Sequence, residues 1–358
     1  MKKVTWSGKD KQKRGRRVKT ASVVMVVTIL IGIASLSAWI FLRRDPAKND
    51  KSGDKNTTVE QKFYSPLTGR RVANEEITRR PVVAVMIENS FDARPQSGLV
   101  DAGVVFEAIA EGGITRFVAL YQESEPEFIG PIRSARPYYL DWVAAFDPAI
   151  IHVGGSEEAL DMLRGNWYGL NIDEIDDSVI FRVNDRYAPH DAYTNFKKYS
   201  AYLNKKNKTS SDFVGWARQD GKARNDVDEL SAKSIDVGIS VGGFVVHYDY
   251  DVATNSYKRS VGGEPHNDRE KGRISPDVVI ALRSTYGLLE DGLHSKYQTI
   301  GENEVYIFQN GNVIKGTWQK DGVKSQIKFF DESGTEIKLN RGQVWITAIG
   351  QNESISWK

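Results

Sequence analysis

From Ala21 to Leu42 the chain reads ASVVMVVTILIGIASLSAWIFL, 22 residues without a charged side chain. At about 1.5 Å rise per residue, a helix of that length crosses the roughly 30 Å hydrocarbon core of a bilayer. The basic run KDKQKRGRRVK precedes it, and only Arg43 and Arg44 lie close behind. The positive-inside rule then predicts a single transmembrane signal-anchor over 21–42, with the N-terminus cytoplasmic and the chain beyond it extracytoplasmic. A cleaved signal peptide is the alternative, with Ser35-Leu36-Ser37 before Ala38 as a small-residue site. Against it, the apolar run continues through Trp39, Ile40, Phe41 and Leu42, longer than the usual h-region of about 7–15 residues. The sequence contains no Cys. Disulfides, a lipidation cysteine, a thiolate metal site and a Cys nucleophile are thereby excluded, and the expected hold on the cell membrane is the helix itself.

Charge divides the chain in the same place. Residues 1–20 carry nine Lys/Arg and one Asp, which leaves 40 basic against 46 acidic side chains in the rest. A basic excess confined to one tail argues against a nucleic-acid partner. With 358 residues the chain is long enough for about two ordinary domains. The predicted organisation is a basic cytoplasmic tail (1–20), the anchor (21–42), a polar linker (43–62), an α/β domain (63–230) and a smaller β-rich domain (231–358).

The α/β reading rests on periodicity. PVVAVMI (81–87), GVVFEA (103–108), RFVALY (116–121) and AIIHV (149–153) read as strands, several buried on both faces. YYLDWVAAF (138–146) and SEEALDMLR (156–164) read as helices, the second opened by Ser156 as N-cap. The Lys-rich segment KKYSAYLNKKNKTSSDF reads equally as part of a helix pair or as a connector. From about residue 236, apolar runs such as PDVVIALR, EVYIFQ, NVIKGTW and QVWITAI are separated by NGN, DGV, ESGT and NRG, which are turn signals between strands.

One stretch carries most of the candidate chemistry. EGGITRFVALYQESEPEFIGPIRSARPYYLDW (111–142) sets Arg116 just after a Gly pair and places Arg133, Ser134 and Arg136 between two prolines, ahead of a predicted helix. Gly permits close backbone approach, Pro stiffens a loop, and the planar guanidinium fork suits carboxylate or phosphate. Structural ion pairs with Glu107, Glu111 or the acids of 123–127 explain the same residues equally well.

These motifs, ARPQSGL (93–99), EGGITRF (111–117), IGPIRSARPYY (129–139), HVGGS (152–156), APHDAYT (188–194), GTWQK (316–320) and FFDESGTEIKLNRGQVWI (329–346), resemble the YerB-like family of bacterial envelope proteins. The resemblance implies a domain of unknown function with a larger N-terminal and a smaller C-terminal part. Members commonly carry a lipoprotein signal, from which this chain departs in having no Cys. A more distant likeness is to envelope phosphotransferases of the LytR-CpsA-Psr type, whose arginines hold a polyprenyl pyrophosphate. Here Ser134 stands where that family's IPRD-like motif has its acid.

Other signals are weaker. His190 and Asp191 follow Arg186 in the APHDAYT loop and could serve in acid/base work, though a hydrogen-bonded structural His is the commoner outcome. His152 sits at a predicted strand-to-helix turn. The five His never show H-x-x-x-H spacing, and no P-loop or G-x-G-x-x-G fingerprint appears, so no metal and no cofactor are predicted. The acidic run IDEIDD (172–177) reads as a solvated loop. Gly238-Ile239-Ser240-Val241-Gly242 satisfies G-x-S-x-G but leads into a strand, whereas a nucleophile elbow leads into a helix. Trp318, Trp345 and Trp357 with Tyr306 could form a glycan-stacking platform or pack a core.

The leading expectation is an extracytoplasmic binding module. Its arginine-bearing cleft (Arg94, Arg116, Arg133, Ser134, Arg136, Arg186) would hold an anionic cell-wall glycan, a lipid phosphate or an acidic envelope-protein partner. One alternative is an envelope phosphotransferase or hydrolase with Glu111 or His190 as acid/base. The other is an assembly scaffold without a small-molecule site.

Overall fold

The structure, a computed structural model, describes residues 61–165, 169–176, 178–223 and 229–358. The expected tail (1–20), anchor (21–42) and linker up to residue 60 lie outside the described residues. Among the described residues no helix is long and apolar enough to cross a membrane.

A ten-stranded mixed sheet forms the frame. Its strands are β1 (Val83–Glu88), β2 (Val104–Glu111), β3 (Ile114–Tyr121), β4 (Ala149–Ile151), β5 (Leu170–Ile172), β6 (Val278–Arg283), β7 (Gly301–Gln309), β8 (Asn312–Lys320), β9 (Lys328–Asp331) and β10 (Val344–Ile349). They lie side by side in the order β9-β8-β7-β6-β10-β2-β3-β1-β4-β5. β10 runs parallel to both β2 and β6, with Val344 beside Val104 and Val278. The sheet therefore passes without a break across the expected boundary at 230/231, and both regions contribute to one core.

Both faces of this sheet are covered, which is why VAVMIE in β1 is buried at every position. On one face lie α2 (Pro137–Val143) and α3 (Glu157–Arg164), numbered after the short α1 (Glu75–Arg79), and Trp142, Phe146 and Leu163 pack there against Ala84, Met86 and Phe106. The other face takes α4 (Phe196–Lys205) and a five-stranded antiparallel sheet. That second sheet is ordered Glu264–Pro265, Ser256–Val261, Val246–Asp251, Ser234–Val237, Ile355–Trp357.

Local chemistry explains the element ends. The Ser156 side chain accepts from Ala159 N at 3.3 Å, with Glu157 and Glu158 in the first turn and Arg164 in the last. Asn195 caps α4 in the same way, accepting from Lys198 N at 2.9 Å. The Lys-rich segment thus supplies one helix, followed by largely irregular chain. Asn310 and Gly311, with φ of 56° and 70°, turn β7 into β8 and account for the NGN signal.

Candidate functional site

The candidate residues gather at the carboxyl edge of the parallel strands, where open α/β sheets commonly bind ligands. β1, β2 and β4 all end there, and β3 starts there after the tight Gly112-Gly113 turn, both glycines having positive φ. The IGPIRSARP segment is threaded into the gap between β1 and the chain leaving β4. Glu88 N donates to Pro131 O and Arg133 N to Met86 O on one side; Ala135 N donates to Gly154 O and Val153 N to Arg133 O on the other. Gly130, at φ 155°, lies where a Cβ would come within 2.8 Å of Ala192 O.

Strand alternation, shifted by a bulge between Ile109 and Glu111, sorts the polar side chains onto two faces, so that Glu107 and Glu111 of the same strand point to opposite sides. On the helix face, Glu111 pairs with Arg116 at 3.2 Å and with Arg136. Arg116 Nη1 donates to Ser134 O at 2.9 Å, Arg136 Nη1 to Ala135 O at 2.9 Å, and His294 Nε2 lies 3.5 Å from Glu111. Both arginine side chains are buried. Burial alone would raise the Glu111 carboxyl, but the facing Arg116 and Arg136 guanidiniums outweigh it and hold the group below the ordinary carboxylate range. Arg116 and Arg136 therefore converge on Glu111 and not on an open cleft with Arg133. Glu111 is a paired carboxylate, unlike a general acid poised near neutrality. Ser134 contributes its backbone carbonyl to this cluster.

Beside them, the buried Glu88 collects a second group. It accepts from His190 Nδ1 at 2.8 Å and from Ser90 Oγ at 2.9 Å, with Arg133 Nε at 3.3 Å. His190 does not use its sequence neighbour, since Asp191 pairs instead with Arg182. The far nitrogen of His190 lies 3.9 Å from Asp92 and borders an open groove of about 560 Å³. Arg94, Arg186 and Arg269 line the same groove, as do Asp92, Asp185 and the 90 % exposed Tyr187. Arg186 donates to the carbonyls of Asp92 (2.7 Å) and Pro95 (2.6 Å), and Arg94 to those of Asn89 (3.0 Å) and Gly243 (2.9 Å). Neither forms an ion pair among the described residues, whereas Arg269 is paired with Asp185. Burial lowers Arg94 to about 10, still a cation at neutral pH.

On the opposite face is a network that sequence reasoning missed. Glu107, fully buried, accepts from Arg259 Nη2 (2.9 Å), Trp345 Nε1 (3.0 Å) and Thr115 Oγ1 (3.2 Å). The equally buried Arg259 also donates to Tyr248 OH (2.6 Å) and to His266 Nδ1 (2.9 Å), and its Cζ stands 4.5 Å from the Trp345 ring centroid. His266 donates its Nε2–H to Gln96 Oε1 at 3.0 Å, and burial followed by the Arg259 charge pushes its pKa well below the usual value, keeping it neutral. Through Asn89, which accepts from Gln96 and Arg94, this clasp reaches the groove. The advance signs were Glu107 inside the apolar run GVVFEA and Arg259 in the strand-like run NSYKRS.

The remaining candidates have structural partners. His152 is buried between Gly154 O (2.7 Å) and Asn171 Oδ1 (2.8 Å). Ser240 donates to Gly113 O at 2.6 Å, in a segment running from strand to 3-10 turn to strand. Trp318 and Trp345 are buried in the core, and Trp357 packs on Tyr306 and Phe308. No group of three or more metal-ligating side chains occurs among the described residues.

Fold and site together define a mixed α/β protein with a β-rich C-terminal region, joined through one sheet with its polar clusters at the carboxyl edge. Residues 67–210 match the family described as protein of unknown function (DUF3048), N-terminal domain, and residues 235–346 match its C-terminal domain. The chain is 31 % identical over 302 residues to the Bacillus subtilis (strain 168) protein named "Putative lipoprotein YerB", covering 83 % of this chain and 89 % of that one. It also resembles the crystal structure of YerB from Bacillus subtilis, with a TM-score of 0.73 and 28 % identity over 82 % of this chain and 99 % of that one. The chain belongs to this DUF3048 family, as the YerB resemblance implied.

Proposed function

We propose that the protein is a membrane-tethered, extracytoplasmic envelope protein that binds an anionic cell-wall glycan or lipid phosphate in the groove of Arg94, Arg186, His190 and Arg269. The observation that carries the reading is the hydrogen bonding of Arg94 and Arg186. Their donors are fixed on carbonyl oxygens, so two guanidinium charges border a groove of about 560 Å³ without a carboxylate partner among the described residues. Tyr187 on the rim offers an exposed ring for a sugar face. The envelope location is supported by the uncharged run 21–42 behind a basic tail and by the name of the Bacillus subtilis relative. The expected roles of Arg116 and Arg136 pass in this reading to Arg94 and Arg186, while the Glu111 pairs brace the loop beside the groove.

One observation favours the enzyme reading, a phosphotransferase or hydrolase. With Nδ1 donating to the buried Glu88, His190 would present a basic Nε2 to the groove. The two readings separate in full-length protein purified in detergent. Binding alone predicts that Arg186→Ala removes heat stabilisation by anionic wall-glycan fragments or polyprenyl phosphate, with no turnover detected by phosphate release. Catalysis predicts turnover that His190→Gln abolishes while stabilisation persists. A wild-type protein stabilised by neither ligand contradicts both.

A further inference from the structure

An apolar shelf adjoins the groove through Arg94. That side chain is held between two rings, its Cζ 5.1 Å from the Phe91 centroid and 5.0 Å from that of Phe244, while Nη1 donates to Gly243 O. Phe91 lies against Gly243, where an added Cβ would come within 2.1 Å of its ring. Gly243 belongs to the 3-10 turn Gly242–Phe244, and Val241 and Val245 flank that turn. Phe91 is 63 % exposed, Val241 81 % and Val245 40 %, and nothing lies within 4 Å of where a Gly242 Cβ would stand. Single exposed apolar side chains need no explanation, but three gathered at the turn that holds one arginine mark a surface that takes an apolar group.

The other half of the site is cationic. Asp185 is taken by Arg269 and Asp92 faces His190, which leaves Arg94 and Arg186 without carboxylate partners among the described residues. Each Nη of these two arginines makes one described bond, to a backbone carbonyl, and keeps a second N–H. Such donors suit the oxygens of a phosphate. A glycan would meet the arginines and find no use for the shelf, whereas a hydrocarbon chain would cover it. We propose that the ligand of the groove is an amphiphile, a phosphate monoester of a hydrocarbon chain, its phosphate on Arg94 and Arg186 and the first carbons of its chain over Phe91, Val241 and Val245. The inference rests on the groove reading above and narrows it from two ligand classes to one.

The test is calorimetric titration of the full-length protein in phosphatidylcholine nanodiscs with inorganic, methyl, butyl and hexyl phosphate, empty nanodiscs being the blank. Complete burial of one CH2 is worth about fourfold in affinity, so even partial cover should make hexyl phosphate bind about tenfold tighter than methyl phosphate. Val241→Ser, at an exposed position, should leave the melting temperature and the methyl phosphate affinity unchanged and remove most of the gain from the longer chain. Val241→Leu should keep that gain. Arg186→Ala should weaken all four ligands about equally. Methyl and hexyl phosphate bound equally, with both dependent on Arg186, would overturn the amphiphile and leave the groove standing. A chain-length gain indifferent to Arg186→Ala would instead overturn the groove reading and this inference with it. A gain untouched by Val241→Ser, or no binding of hexyl phosphate at millimolar concentration, overturns the inference whether or not a wall-glycan fragment binds.

Discussion

Glu107→Gln is the smallest change that tests whether the two family regions share a single core. In the native state the Glu107 carboxylate accepts from four donors, from Arg259, Trp345, Thr115 and Thr347, and faces a fully buried guanidinium. An amide is nearly isosteric, but it can accept at only one of its two ends and must turn NH2 toward another donor. It also leaves Arg259 as an uncompensated buried charge, and breaking a buried pair in this way costs about 3–5 kcal/mol. At roughly 2 °C per kcal/mol for a large cooperative unit, the melting temperature should fall by about 6–10 °C. Because Glu107 lies in β2 and Arg259 in the five-stranded sheet, residues 61–358 should still unfold in one transition. The assay is differential scanning calorimetry on the full-length protein, with Arg259→Met and Glu107→Gln/Arg259→Met completing a double-mutant cycle. Removing both charges should recover a substantial part of the loss. A single-variant shift under about 2 °C, or losses that simply add in the double variant, would refute the reasoning.

Two further outcomes follow from the loop and its braces. Glu111, held below its ordinary pKa by Arg116 and Arg136 against the opposing effect of burial, contributes stability that is present above the unfolded-state value of about 4.3 and is lost as pH falls through the lowered folded value. Melting curves from neutral to acid pH should thus show a shallower acid limb in Glu111→Gln than in wild type, and identical limbs would contradict the pairing. Gly130→Ala would place a Cβ 2.8 Å from Ala192 O and 2.9 Å from the Tyr193 ring, at a φ that side chains avoid. Chemical denaturation should register a loss of about 1–3 kcal/mol, and a variant as stable as wild type would show that the loop is not seated as described.

Local order was readable in the sequence because its causes are local. The strands PVVAVMI and RFVALY, the Ser156 cap and the NGN turn depend on residues within a few positions of one another. What depends on distant pairing was not readable. Glu107 meets Arg259 at a separation of 152 residues and Glu88 meets His190 at 102; Glu107 stood out only as a partner for the nearby arginines, and Glu88 not at all. The Arg-rich stretch raised the question of ligand or internal carboxylate, and spacing alone could not answer it. Folding directs Arg116 and Arg136 to Glu111, and it brings Arg94 of ARPQSGL and Arg186, two residues ahead of APHDAYT, to one groove with His190.

The most direct test of the account is equilibrium titration of the full-length protein with anionic wall-glycan fragments and, separately, with polyprenyl phosphate in neutral vesicles. Saturable binding of at least one of them, weakened by salt, is expected. Arg186→Ala should lower that affinity about tenfold or more, the loss of a charge-assisted contact. Arg79→Ala, at an exposed arginine paired with Glu75 outside the groove, should match wild type. Binding unchanged by Arg186→Ala, or no binding of either ligand by the wild-type protein, would contradict it.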